Sequence, residues 1–326
     1  MRHLAFSPLN AERLRKSGAR IVITGASGWI GQVTLEMLEA ALGAGFAERV
    51  LAFGSHTREI VTRTGRRIPI SQSSMLSSLT PQRTLLLHYA FMTKERVVQM
   101  SSADYFGSSE ALTEAIVDAI PKIGVAQMVF LSSGAVYGLP TRSDRTTLDD
   151  PEANPYGTQK LRDEERFSQV CSRNGVRLVI PRIFNVSGRL INKHDSYVLS
   201  SVINAALSGV IVELRAQRRV VRGYVAVRDV LDVVFGWLLS GTKPEKLVFD
   251  TGGEVVEVGE LALRVLKMLD RTDLQIKRPP FGCEPDDIYL GDGKKFEQLA
   301  TSLGVSLLPL DQQIAETAAY LKGLRT

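Results

Sequence analysis

A tyrosine and a lysine lie four residues apart in the stretch "NPYGTQK" at 154–160, as Tyr156 and Lys160. Asn154 is a good N-cap and Pro155 suits the first turn of a helix, so the stretch predicts a helix that begins there. Residues four apart lie on one face of a helix. The pair is either an ordinary surface contact or an acid/base device, in which an ammonium lowers the pKa of a phenol.

A glycine-rich loop lies near the start of the chain. The run "RIVITGA" (20–26) predicts a strand that continues into "TGASGWIG", and apolar residues at helical spacing follow over 29–42. Gly25, Gly28 and Gly31 would permit a tight turn, the approach of a pyrophosphate to the backbone and close packing of the helix. The start of that helix supplies free N–H groups for phosphates. A purely structural turn is the alternative.

The end of the second predicted strand, "RVLAFGS" (49–55), indicates which dinucleotide would bind. An acidic residue there would bind the ribose hydroxyls of NAD. Here Gly54 and Ser55 stand at that place, and Arg58 follows. No carboxylate would repel a 2′-phosphate and Arg58 can pair with one, which favours NADP over NAD. The alternative is that Arg58 faces solvent.

Short apolar runs and longer helical patterns alternate over roughly the first 175 residues, and these elements must position the loop and the Tyr–Lys pair. Strands are predicted at 20–26, 49–55, 66–71, 84–91, 126–133 and 176–184, and helices at 29–42, at 108–120 and from Pro155 onward. Strands that are apolar on both faces and joined by helices predict a doubly wound α/β fold with a parallel (Rossmann) sheet.

Beyond residue 185 the alternation loosens. Helices are predicted at 196–207, 229–240, 257–269, 292–304 and 310–324, with strands at 222–227 and 246–252. We expect an NAD(P)-binding Rossmann domain at 1–184. Residues 185–326 would form mainly a smaller C-terminal substrate-binding cap, with some elements that return to the main sheet.

Composition and charge exclude several classes of function. The chain is 44% hydrophobic and 23% charged, and no apolar run has the length of a membrane span or of a signal-peptide core. We therefore expect a cytoplasmic protein without a membrane partner. The net charge of +5 is scattered, without the basic and aromatic runs of nucleic-acid binders. Two cysteines and four histidines lack ligand spacing, so no metal is expected.

Taken in order, the motifs resemble the extended short-chain dehydrogenase/reductase superfamily, in particular the NAD-dependent epimerase/dehydratase group that acts on nucleotide sugars. "TGASGWIG" is similar to that family's cofactor loop, "LLHYAF" to the end of its fourth strand, "FLSSGAVYG" to its fifth-strand motif and "NPYGTQK" to its PYxxxK helix. "PRIFNVSG", "VRGYVAVRDV" and "FDTGGEVVEVGELA" resemble later segments, so the likeness covers nearly the whole chain.

The resemblance implies three catalytic residues. Tyr156 would give or take the proton of a sugar hydroxyl, and Ser133 would hydrogen-bond the same oxygen. Lys160 would bind the nicotinamide ribose and, with the cofactor, lower the pKa of Tyr156. The residues expected to bind the cofactor are Gly25, Ser27, Gly28, Trp29, Ile30, Gly31, Ser55, Arg58, Ala90, Tyr156, Lys160 and Phe184; those expected to bind the substrate are Ser133, Asn185 and Arg222, the last through phosphates.

Several positions depart from the family's pattern. Its dehydratases carry an acidic pair directly after the catalytic serine or threonine, where this chain has Gly134 and Ala135, so dehydration is not expected. Ala226 replaces a usual histidine, and Arg278 is the nearest candidate for a second diphosphate-binding arginine. His194 is either a base near the substrate or a polar loop residue.

We therefore expect a nucleotide-sugar 4-epimerase or a 4-keto-sugar reductase, because each needs only hydride transfer and one proton relay. The end of the second strand favours the reductase. The alternatives are an NADP-dependent reductase or dehydrogenase of a small non-nucleotide ketone or alcohol, and a non-catalytic dinucleotide-sensing protein. By the same resemblance, helices at 108–120 and 156–173 predict a homodimer.

Overall fold

The computed structural model describes residues 4–138, 151–241 and 245–325. Its α-helices are α1 Pro8–Ser17, α2 Trp29–Leu42, α3 Phe46–Arg49, α4 Lys94–Gln99, α5 Ser102–Lys122, α6 Pro155–Arg173, α7 Val198–Ser208, α8 Val227–Leu239, α9 Val258–Met268, α10 Gly293–Ser302 and α11 Leu310–Gly323. Its strands are β1 Arg20–Thr24, β2 Val50–Gly54, β3 Arg58–Val61, β4 Arg67–Gln72, β5 Thr84–His88, β6 Val125–Phe130, β7 Ser132–Ser133, β8 Arg177–Ile183, β9 Asn185–Ser187, β10 Val212–Glu213, β11 Val220–Ala226, β12 Lys246–Asp250, β13 Glu254–Glu257, β14 Ile276–Lys277 and β15 Asp287–Tyr289.

The main sheet has the strand order β12-β8-β6-β5-β1-β2-β4-β3 within the described residues. Every neighbouring pair from β12 to β4 is parallel, and only β3 runs antiparallel, against β4. The chain moves outward from β1 in one direction and then returns to continue in the other. The predicted doubly wound α/β sheet is therefore confirmed.

Both faces of the sheet are covered, because consecutive residues of β1 enter different cores. Ile21 packs into the same cluster as Leu38 of α2, whereas Val22 packs with Phe167 of α6. All five residues of β1 are buried. The continuous apolar run that predicted this strand thus reflects its central place in the sheet.

The part of the chain after β8 contributes to two sheets. Its strand β12 lies beside β8 in the main sheet. A second sheet joins β11 to β13, to β15 and to β9, with Arg222 opposite Tyr289 and Tyr224 opposite Asn185. This register brings three separate segments of the C-terminal part to one place beside the main sheet.

Several shorter elements were not predicted from the sequence, among them α1 and β3. Helix α1 is fixed by Asp232 of α8, whose carboxylate accepts hydrogen bonds from the Ser7 backbone and, at 2.7 Å, from the Asn10 amide. Such a contact between distant segments leaves no periodic signal in the sequence.

Among the described residues, no helix combines the length and apolarity needed to cross a membrane.

Candidate active site

The predicted site residues meet where the parallel strands end. Gly25 follows β1, Ala90 follows β5, Ser133 ends β7 and Phe184 follows β8. Ligands of open α/β sheets bind in the crevice at these carboxyl ends. The sheet order therefore brings together residues that are far apart in the sequence, from Gly25 to Phe184.

Helix α6 begins as predicted, and its first turn is tied to the loop after Ser133. The Asn154 side chain accepts a hydrogen bond from the Gly157 backbone at 3.1 Å and donates one to the Ala135 carbonyl at 2.8 Å. A β-carbon at Gly157 would lie 2.2 Å from that same carbonyl oxygen, so only glycine allows this approach. The N-cap and the glycine thus fix Tyr156 relative to Ser133.

Tyr156 and Ser133 interact through their side chains. Burial raises the pKa of Tyr156 above its usual range, and side-chain hydrogen bonding with Ser133 lowers it. Burial is the larger of the two influences, so the phenol is neutral at ordinary pH. A neutral phenol can donate a proton or a hydrogen bond to an oxygen placed against it.

Lys160 is held away from bulk water. Its Nζ donates a hydrogen bond to the Leu131 carbonyl at 2.7 Å and lies 4.3 Å and 4.7 Å from the ring centres of Phe91 and Phe130. Burial lowers the pKa of Lys160 to about 8, although neighbouring carboxylates of α6 raise it. Its ammonium is therefore easier to deprotonate than that of an exposed lysine.

The resemblance implied that Lys160 and the cofactor together lower the pKa of Tyr156, and the protein alone does not produce that shift. The group that lowers this pKa is Ser133, and burial outweighs it. The reason is geometric, because the Lys160 ammonium is directed toward a carbonyl and two aromatic rings.

His88 lies at the buried end of β5, next to the candidate site, and was not singled out from the sequence. Its Nδ1 and the Thr24 hydroxyl oxygen are 2.7 Å apart, and its ring stacks on Phe130. Burial and, to a lesser extent, the charge of Lys160 lower the pKa of His88 to about 3. His88 lies within "LLHYAF", a motif already used for the resemblance, so the sequence could have indicated it. Its position on a buried strand indicates that it holds the site in place and does not take part in catalysis.

The glycine loop folds tightly, and packing constrains its three glycines to different degrees. A β-carbon at Gly25 would lie 2.6 Å from the Ala90 nitrogen, and one at Gly31 would lie 2.5 Å from the Gly25 carbonyl oxygen. At Gly28 the nearest atom would be the Gly25 carbonyl oxygen at 3.3 Å, a closer contact than most β-carbons make. Packing therefore requires Gly25 and Gly31 most strictly, and Gly28 is the N-cap of α2, where a pyrophosphate would approach the backbone.

The other predicted cofactor residues are arranged around this loop. Arg58 donates a hydrogen bond to the Ser27 hydroxyl, so it reaches the loop instead of facing only solvent. Ser55 is exposed after β2. Trp29 is buried, with its indole N–H bonded to the Arg189 carbonyl at 2.8 Å, and the half-buried Ile30 follows it in α2. These residues fit a dinucleotide whose phosphates lie at the start of α2.

The predicted substrate residues lie on the side of the second sheet. The Phe184 ring packs 4.7 Å from the Tyr289 ring, and the Asn185 amide lies 3.5 Å from the Tyr289 carbonyl oxygen. A cavity of 1210 Å³ is lined by Gly134, Phe184 and Tyr289 at one end and extends along α6 and β12; Ser133 and Tyr156 are not among its lining residues.

The two arginines considered for phosphate binding are both engaged by carboxylates of this chain. The Arg222 guanidinium donates to the Asp287 carboxylate at 3.0 Å and 2.9 Å, and that of Arg278 donates to the Glu257 carboxylate at 3.0 Å and 2.7 Å. These pairings depend on the second sheet, and the sequence alone did not indicate them.

His194, which the sequence offered as a possible base, makes a contact within its own loop. The Nε2 of His194 lies 2.7 Å from the Ile191 carbonyl oxygen. Within the described ranges, no group of three or more His, Cys, Asp or Glu residues could hold a metal ion.

Comparison with known proteins places these features in a family. The model of the "NAD dependent epimerase/dehydratase family" matches residues 21–250. The UDP-glucose 4-epimerase of Azospirillum brasilense is 29% identical over 183 residues, which are 52% of this chain and about half (49%) of that enzyme. The UDP-glucose 4-epimerase of Streptomyces lividans is 23% identical over 304 residues, covering 86% of this chain and 90% of that enzyme.

Solved structures share the fold. The UDP-N-acetylglucosamine 4-epimerase of Methanobrevibacter ruminantium, in complex with UDP-N-acetylmuramic acid, matches with a TM-score of 0.72 at 17% identity, over 94% of this chain and 99% of that one. The UDP-glucose 4-epimerase of Thermus thermophilus, in complex with NAD, matches with a TM-score of 0.68 at 21% identity, over 93% and 99%. At these identities the likeness establishes the architecture alone.

Proposed function

The chain belongs to the NAD-dependent epimerase/dehydratase family, and from this premise we propose that it catalyses NAD(P)-dependent hydride transfer at C4 of a nucleotide-diphosphate sugar. The reaction is either a 4-epimerisation or the reduction of a 4-keto-sugar. The observation that carries the proposal is the interaction of Ser133 with Tyr156 at the carboxyl ends of the strands, beside the glycine loop. The curated relatives reported above are 4-epimerases, which supports the same assignment.

In the proposed reaction, the residues of the site have different roles. A bound dinucleotide supplies a donor or acceptor of hydride. The backbone at Gly28 and the start of α2 hold its phosphates. Tyr156 gives or takes the proton of the sugar oxygen at the reacting carbon, and Ser133 donates a hydrogen bond to that oxygen as negative charge develops on it. Lys160 binds the ribose beside Tyr156.

We propose NADP as the preferred dinucleotide. Arg58 lies against Ser27 of the glycine loop, and no carboxylate stands at the end of β2. A guanidinium in this position can pair with a 2′-phosphate. NAD remains the alternative, since the family as a whole is described as NAD-dependent.

Cofactor retention separates the two reactions. An epimerase regenerates its dinucleotide in each turnover, whereas a reductase consumes it. The purified protein is first assayed for dinucleotide carried through purification, and is then titrated with NADPH and NADH. Tightly retained NAD would indicate the epimerase, exchangeable binding with a preference for NADPH would indicate the reductase, and no binding of either would refute the proposal.

A second candidate function follows from the two occupied arginines. If Arg222 and Arg278 stay paired with Asp287 and Glu257, the site offers neither of them to a diphosphate. This favours an NADP-dependent reductase or dehydrogenase of a small non-nucleotide ketone or alcohol. Turnover of small ketones without any binding of nucleoside diphosphates would support this candidate over the first.

We also propose that the protein is located in the cytoplasm and that its domain boundary lies near residue 184. We further propose that it forms a homodimer. Helices α5 and α6 lie side by side and are joined by Arg166, which donates two hydrogen bonds of 2.9 Å to Glu114. Their exposed faces, which carry this ion pair, would meet the same two helices of a second copy. A monomer mass in light scattering at micromolar concentration would refute the dimer.

A further inference from the structure

A buried carboxylate that the proposed reaction does not use lies close behind the candidate site. Asp163 follows Lys160 by three positions on α6, and both side chains are buried. Residues three apart lie on the same face of a helix. Both residues line one small cavity of 10 Å³, which is enclosed by α5, α6 and the end of β5. The carboxylate and the ammonium therefore share one space inside the protein.

The Asp163 carboxylate is held as an acceptor of hydrogen bonds. Its Oδ1 accepts one from the Thr113 hydroxyl at 2.7 Å and one from the Gln159 amide at 2.8 Å. Burial raises the pKa of Asp163, whereas the Lys160 charge and these two bonds lower it; the charge of the exposed Glu110 raises it slightly. Two donors directed at a buried carboxylate favour its charged form.

The Lys160 ammonium bonds to a neutral group. Its Nζ donates a hydrogen bond to the Leu131 carbonyl at 2.7 Å, and a carbonyl carries no net charge. A buried ammonium is costly unless negative charge lies near it. The charge that stabilises Lys160 therefore acts from a group that its hydrogen bond does not reach.

Two carboxylates of α6 raise the pKa of Lys160, and Asp163 has the larger influence, followed by Glu164. Glu164 is already paired, since it accepts hydrogen bonds of 2.9 Å and 2.7 Å from the Arg182 guanidinium. Asp163 accepts its bonds from the neutral groups of Thr113 and Gln159. Its negative charge is therefore balanced by Lys160 and not by an arginine.

The other ionisable side chains around this cavity are His88 of β5, Tyr105 of α5 and Tyr156 of α6. Burial lowers the pKa of His88 to about 3 and raises that of Tyr105 to about 12 and that of Tyr156 above its usual range. All three are neutral at ordinary pH. They contribute no charge to Lys160 under these conditions.

We propose that Asp163 is a positioning residue, whose carboxylate lies across this cavity from Lys160 and keeps the lysine in its charged form. The inference rests on the proposed function in one respect, because it takes the charged ammonium to bind the ribose of the dinucleotide. A charged ammonium offers three hydrogen-bond donors and no acceptor, so it suits hydroxyl oxygens of a ribose. Loss of the charge would weaken that bond.

The test is the pH dependence of Lys160 labelling by trace amounts of acetic anhydride, in the intact protein without added dinucleotide. Peptide mass spectrometry gives the midpoint, which is expected near a pH of about 8 in the wild type. Asp163→Asn should lower this midpoint by about one pH unit or more, because the opposite charge is lost. The amide oxygen of asparagine can still accept the bonds from Thr113 and Gln159.

Asp118→Asn is the matched control, because it removes the same charge from an exposed position on α5. It should leave the midpoint at its wild-type value. Asp163→Glu keeps the charge and should also keep the midpoint close to that value. Thermal unfolding shows whether each variant is folded, and Asp163→Ser takes the place of Asp163→Asn if the latter is not.

Three results would overturn the proposal. The midpoint could stay unchanged in the folded Asp163→Asn protein, it could move equally in Asp118→Asn, or it could move equally in Asp163→Glu. The last result would show that packing at this position, and not its charge, controls Lys160. A shift confined to the variants without a carboxylate at position 163 supports the proposal.

A second measurement separates this inference from the proposed function. The affinity for NADPH, titrated at several pH values, should begin to fall at a pH about one unit lower in Asp163→Asn than in the wild type. If the wild type binds neither NADPH nor NADH, the proposed function fails, while the labelling still decides the role of Asp163. A shifted labelling midpoint with unchanged NADPH affinity at every pH would overturn the link from the charge of Lys160 to ribose binding.

Discussion

The Lys160 ammonium lies 4.3 Å from the centre of the Phe91 ring, and this ring separates the buried lysine from solvent on one side. Phe91 is 40% exposed, whereas Lys160 is 3% exposed. An aromatic face attracts a cation, by about 0.5–2 kcal/mol. Burial lowers the pKa of Lys160 to about 8, because the loss of hydration disfavours the charged ammonium.

Phe91→Ala should raise the pKa of Lys160 from about 8 toward its ordinary value, because water would replace the ring. The measurement is the pH dependence of Lys160 labelling by an amine reagent, followed by peptide mass spectrometry. Phe281→Ala is the control, since it removes a ring that lies 4.3 Å from a different cation, Arg278. An unchanged labelling profile in Phe91→Ala would show that the ring does not dehydrate the lysine.

Arg58→Ala should weaken NADPH binding by roughly 10- to 100-fold, the usual worth of a hydrogen-bonded charge pair, and leave NADH binding unchanged. The reason is that Arg58, beside Ser27, would pair only with the 2′-phosphate. Fluorescence titration of both dinucleotides measures the two affinities. Arg67→Ala is the matched control, because Arg67 lies on the neighbouring β4 and pairs with Glu59 instead of the loop. Equal losses for NADPH and NADH would contradict this role of Arg58.

The buried His88 should make the protein less stable in acid. Its pKa is 6.5 in an unfolded chain and about 3 in the fold, so between these values the unfolded chain binds the extra proton. The free energy of unfolding should therefore fall as the pH falls below 6.5, by about 1.4 kcal/mol per pH unit from this group.

Urea unfolding at several pH values between 7 and 4 measures this slope. His88→Asn should lower the stability at neutral pH, through the altered contact with Thr24, and flatten the slope. His56→Asn should keep the wild-type slope, because His56 is exposed. If His88→Asn retains the full slope, the acid sensitivity has another source.

The sequence predicted the elements whose signals are local. The helix predicted at 310–324 is α11 Leu310–Gly323, and the helix predicted from Pro155 begins at that residue. Periodic apolar residues, an N-cap and a proline are readable from neighbouring positions alone. The membership of the family, the doubly wound sheet and the motif order were predictable for the same reason.

The site was less predictable wherever it depends on contacts between distant segments. The ring of Phe91 over Lys160 requires the end of β5 to meet α6, and the capture of Arg222 by Asp287 requires the register of β11 and β15. No property of either residue alone indicates such a partner.

The most direct test of the central claim compares the wild type with Tyr156→Phe on UDP-glucose and UDP-N-acetylglucosamine, and on 4-keto derivatives of such sugars. Conversion is measured by chromatography of the nucleotide sugars and by the absorbance of the reduced dinucleotide. We predict that the wild type converts at least one substrate. Tyr156→Phe should be slower by roughly 10²- to 10⁴-fold and should still bind the dinucleotide. Equal rates in the two proteins would contradict the account, because Tyr156 would then carry no proton in the reaction.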